Sequence, residues 1–101
     1  MHLVELFLPL ADNEERPFPP ALYAALRQEL LERFGGVTIF SRAPAEGVWE
    51  GPGGEARDSI VIFEVVAEEL DRPWWRALRL RLERDFRQES VLLRATQTER
   101  L

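Results

Sequence analysis

Glu5, Glu64, Arg42 and Arg94 are charged positions set into alternating segments that also carry Phe7 and Phe40. If Val4, Leu6 and Leu8 turn toward a core, then Leu3, Glu5 and Phe7 turn away from it. By the same alternation Thr38, Phe40 and Arg42, and Leu92, Arg94 and Thr96, share that outer face; the run around Ile60 is apolar on both sides and leaves its parity open, with the polar Glu64 favouring Ile60, Ile62 and Glu64 outward. Two carboxylates placed close together shift each other's ionisation and can exchange protons with a bound molecule. Guanidinium groups hold planar anions through paired hydrogen bonds. One expectation is therefore a half-open pocket that orients a small polar or anionic ligand. A face this apolar more often marks an association surface, so the same residues predict a homodimer with those charges paired inside it or at its rim.

The segment Gly47-Val48-Trp49-Glu50, followed by Gly51-Pro52-Gly53-Gly54, is a second candidate. A long connection bearing Trp49 can act as a lid. The plainer account is a hairpin extension of its flanking strands, with the tryptophan packed on a neighbour. Arg57 and Asp58 at its exit form a local ion pair, with ligand contact as the secondary role. Trp74-Trp75 raises base or sugar stacking. Trp75, however, shares a helical stripe with Leu78 and Leu82, which assigns it to packing. The arginines of that segment alternate with Glu83, Asp85 and Glu89, the pattern of a solvated, ion-paired face, and Glu83–Arg87 has the favourable order for such a pair.

Other chemistries are excluded by composition. The 101 residues contain no cysteine and one histidine, His2. Disulfides, thiolate nucleophiles, cysteine or multi-histidine metal centres and a serine triad with a buried base are all ruled out. Ser41, Ser59 and Ser90 have no base near them in sequence and no nucleophile-elbow setting. The glycine cluster lacks the lysine of a phosphate loop, and no motif implies a metal or any other cofactor. The formal charge of −5 discourages non-specific nucleic-acid binding. All 13 basic side chains are arginine. No apolar run reaches the ~20 residues of a membrane span, and the N-terminus lacks the basic segment of a signal peptide. A cytoplasmic protein without membrane or nucleic-acid partners is expected.

The elements that must position these residues follow from periodicity. His2 to Leu10 is a strand apolar on both faces, hence central. Pro19-Pro20 opens a helix carrying Leu22, Leu26 and Leu30 on one stripe with Tyr23 and Phe34, and Gly35-Gly36 ends it. Val37 to Arg42 is the second strand, and Ala43 to Gly54 a long connection with a possible short strand at Val48-Trp49-Glu50. The third strand runs from about Arg57 to Ala67 and is also apolar on both faces. Asp71 caps a second helix bearing Trp74, Trp75, Leu78, Leu82 and Phe86, and Glu89 to Gln97 supplies the last strand. The order βαββαβ with right-handed crossovers predicts a single ferredoxin-like α+β domain over 1–101. Its four-stranded antiparallel sheet has order 4-1-3-2, with two helices on one face.

Arg33-Phe34-Gly35-Gly36-Val37-Thr38, Gly47-Val48-Trp49, Arg57-Asp58 and Phe86-Arg87-Gln88-Glu89-Ser90-Val91 together resemble a family of small bacterial domains of unknown function. The family's Gly-x-Trp and Phe-x-Gln-Glu-Ser-Val motifs carry the likeness, while its turn is shortened here to Gly35-Gly36. The resemblance implies the same fold and no particular activity.

The first functional expectation is thus a homo-oligomeric or small-ligand-binding protein rather than an enzyme. One alternative is a cofactor-independent enzyme of the dimeric α/β-barrel type, with Glu5 or Glu64 as acid–base and Arg42 or Arg94 holding an anionic intermediate. The other is an adaptor that binds a partner by strand addition at a sheet edge.

Overall fold

The alternation of β1 (His2–Pro9) sends Val4, Leu6 and Leu8 into the core, each at most 2% exposed. This computed structural model describes residues 1–51 and 54–101, and side chains outside 41–58. Helix α1 (Pro20–Phe34) begins on a proline, whose missing N–H costs no helical bond there. It ends at Gly35, whose φ of 79° lets its N–H close back on the Leu31 carbonyl at 2.8 Å. Strands β2 (Thr38–Gly51) and β3 (Gly54–Ala67) form an antiparallel pair. Asp71 caps α2 (Arg72–Asp85) by accepting a hydrogen bond from the Trp74 N–H at 3.2 Å. Strand β4 (Leu92–Gln97) closes the chain.

The sheet order is β2-β3-β1-β4, the expected 4-1-3-2 read from the other edge, so the doubly apolar strands are central as their composition requires. Val61, Phe63, Val65 and Ala67 of β3 join the β1 residues in one core with Leu26 and Leu30 of α1 and with Trp75, Leu78 and Leu82 of α2. Both helices therefore cover the same side of the sheet. Phe34 stacks on Trp75 with centroids 5.2 Å apart and meets Trp74 edge-on at 5.5 Å, which assigns the tryptophan pair to packing. Phe86, fully buried, anchors Phe18 and Tyr23 at the other end of the helical layer.

The connection Ala43 to Gly54 is the hairpin extension that was its plainer account: β2 and β3 continue as strands past a register shift between Phe40 and Ala45, well beyond the short strand expected at Val48-Trp49-Glu50. Such a bulge breaks the side-chain alternation by which a strand is recognised. The Glu83–Arg87 pair does not form, because α2 ends at Asp85 and Arg87 turns to φ 49°. Arg87 reaches Asp12 instead, while Glu83 holds Arg79 and accepts from the Val91 N–H.

Candidate functional site

Register builds the outer face of the sheet into rows. Glu5 lies opposite Glu64 on one side and opposite Arg94 on the other, and Thr38 faces Glu64 from β2. Two residues further along β1, a distance of about 7 Å, Phe7 faces Ile62 and Leu92, and Phe40 faces Ile62. In the opposite direction Leu3 faces Val66 and Thr96. A charged row is thus flanked by apolar ones. Phe40 and Leu92 keep 45% and 53% of their surface exposed, so the apolar row is open to a partner or ligand.

Within the charged row, Arg94 Nε donates to Glu5 Oε1 at 2.9 Å, and its guanidinium lies 4.8 Å from the centre of the Phe7 ring. Arg94 is therefore engaged on its own sheet. Among the described residues no such cation bonds Glu64: partial burial first, then the charge of Glu5 and a hydrogen bond shared with it, hold its carboxyl above the ordinary value of 4.5. The result is an unbalanced acidic position on an apolar floor, suited to a cation that carries apolar substituents.

A groove of about 530 Å³ adjoins this row, large enough for a small molecule. Leu3 and Val66 form its apolar part, Thr38, Glu64, Glu68 and Arg100 its polar part, and Gly35-Gly36 one rim. A smaller recess of about 230 Å³ beside β4 is lined mainly by apolar groups with Arg72, Arg76 and Arg94 around them.

Of the site residues expected from sequence, Glu5, Phe7, Phe40, Glu64 and Arg94 are brought together on this face. The side chains of Arg42, Trp49 and Arg57 lie outside the described residues; their backbones belong to β2 and β3, with Trp49 paired to Ala56 and Arg57 to Val48. Glu68 and Arg100 were not anticipated. Glu68 continues the parity of Glu64 and Val66 just past the end of β3, which is the signal that could have found it. Arg100 sits in a C-terminal tail whose sequence has no periodicity to place it. Among the described residues there is no cluster of three or more metal-ligating side chains, and no helix is long and apolar enough to cross a membrane.

No family model matches the chain, and no curated protein matches it. Among solved structures it is similar to a phage SAM lyase in complex with S-methyl-5'-thioadenosine. That match has a TM-score of 0.66 at 18% identity, covering 95% of this chain and 80% of the other. The apo form of a phage SAM lyase matches with a TM-score of 0.61 at 16% identity, covering 94% and 78%. These likenesses establish the fold. They stand against the first expectation, of an uncharacterised protein that is not an enzyme, because the solved structures sharing this fold are those of SAM lyases. Strand register completes the acidic row, setting Glu5 directly beside a residue from the other half of the chain.

Proposed function

We propose that the outer sheet face binds S-adenosylmethionine and cleaves it at the sulfonium centre, releasing S-methyl-5'-thioadenosine. The observation that carries this is the in-register Glu5–Glu64 pair above an apolar row, on a fold shared with SAM lyases. A sulfonium is a cation enclosed by carbon substituents. It relieves the repulsion between two carboxylates while its substituents cover apolar surface. One oxygen of the substrate's own carboxylate attacks the carbon bonded to sulfur; as that C–O bond closes a lactone the C–S bond breaks, and sulfur keeps its electron pair and leaves as a neutral thioether. Departure therefore needs no general acid, and the protein's work is to hold the cation, orient the chain and exclude water.

Arg94 is paired with Glu5, so in this proposal the row receives a cation at Glu64. In this proposal the protein works in the cytoplasm as a homodimer, supported by the exposed Phe40 and Leu92 that a second copy would cover.

The test is chromatography with mass detection of S-adenosylmethionine incubated with the protein. S-methyl-5'-thioadenosine should accumulate, and Glu64→Gln should slow its formation about 100-fold, the scale of a lost electrostatic group. An unchanged substrate pool, or S-adenosylhomocysteine as the product, would sink the proposal.

A further inference from the structure

We infer that the groove beside the acidic row receives the zwitterionic α-amino-acid end of this substrate, its ammonium at Glu64 and Glu68 and its carboxylate at Arg100. The inference rests on the sulfonium proposal above and adds to it the part of the molecule that gives specificity. Carboxylates and a guanidinium line one groove of about 530 Å³, the complement of a group that carries both signs. Among the described residues Arg100 has no ion-pair partner on its own chain, unlike Arg94, so its donors are open to a ligand carboxylate. Gly35 and Gly36 have no atom within 4 Å of where a Cβ would stand, so that rim is open.

The order of surfaces along the strands supports the same assignment. From the groove the rows run Leu3–Val66, then Glu5–Glu64, then Phe7–Ile62, at steps of about 7 Å. The substrate runs amino acid, sulfonium, adenosine. Laid along the strands it places the amino acid in the groove, the sulfur over the carboxylate pair and the flat base on Phe7, Ile62 and the neighbouring Phe40. The reverse direction would put the zwitterion on the apolar row and leave its charges unpaired.

Calorimetric titration of the full chain with two uncleavable thioethers isolates the claim. S-adenosylhomocysteine has the amino-acid end, and S-methyl-5'-thioadenosine lacks it. Wild type should bind the first more tightly. Arg100→Gln and Glu68→Gln should each weaken it about tenfold, as expected for a lost charge-assisted contact, while leaving the second unchanged. Equal affinity of wild type for the two compounds, or variants that bind both as wild type does, overturns the groove assignment alone. A wild type that binds neither compound and does not bind S-adenosylmethionine overturns the sulfonium proposal, and the groove assignment with it.

Discussion

Glu5 and Glu64 stand directly opposite each other across the β1–β3 ladder, on the face that the helices leave open. Like charges so placed in a sheet are unfavourable by roughly 0.2–1 kcal/mol. Arg94 offsets part of this from the Glu5 side, and nothing equivalent bonds Glu64 among the described residues. The repulsion persists in the folded protein and is the feature a bound cation would remove.

Glu64→Gln should therefore stabilise the fold at neutral pH, by up to about 1 kcal/mol. The sign follows from Glu64 being raised above 4.5 by burial and by Glu5. Below that ordinary value the carboxyl is protonated in both folded and unfolded chains, and no penalty exists. As pH rises through the folded value the penalty develops in full. Urea unfolding should show wild type and variant alike at pH 4 and separated at pH 7; a pH-independent offset would refute the pair as its source.

Arg94 joins two neighbours, through its bond to Glu5 and its position over Phe7. A double-mutant cycle of Arg94→Gln with Phe7→Leu should give a coupling of about 0.5–1 kcal/mol. Additive effects would mean that the guanidinium only passes near the ring.

The stop of α1 separates its two glycines. Gly35→Ala should cost about 1 kcal/mol in chemical denaturation, because φ 79° is strained for alanine although no atom lies within 4 Å of its Cβ. Gly36 shows no positive φ, and Gly36→Ala should be close to neutral. Equal costs at both positions would show that φ is not what selects glycine there.

Much of the scaffold was legible because it rests on local pattern. The double-sided apolar runs of β1 and β3 announced central strands; the same double-sidedness left the parity of β3 open, and only the polarity of Glu64 favoured the face of Glu5 that the register shows. Prolines, Asp71 and Gly35 marked the helix ends through backbone requirements that only such residues meet. The β2–β3 hairpin beyond Phe40 was read only as an extension or a loop, since its bulge cancels the alternation. No short motif encodes the proposed activity. A charged row spread over three strands becomes a site only once the strands are paired; Glu68 extends the parity of β3 beyond its end, and Arg100 lies in a tail with no periodicity to place it.

Two other carboxylates tie loops to the core and should set the acid limit of the fold. Asp12 accepts from the Arg16 and Glu14 backbone N–H groups at 2.9 Å, with Arg16 and Arg87 also near it; Glu83 accepts from the Val91 N–H at 2.9 Å and pairs with Arg79. The backbone donor of Arg16 for Asp12, and that of Val91 for Glu83, are the largest forces holding each carboxyl below its ordinary value. A depressed carboxyl stabilises the fold above its unfolded value, and that stability is lost as pH falls through the folded one. Asp12→Asn and Glu83→Gln should thus lower the melting temperature at pH 7, and the gap to wild type should narrow as pH falls below the unfolded carboxylate range and close as it passes through the depressed folded values. Glu83→Gln should also speed hydrogen exchange at the Val91 amide, since a neutral acceptor holds that donor less firmly. A gap that stays constant with pH down to acid unfolding, with Val91 exchange unchanged, would locate the effect in packing rather than in the ionised carboxylates.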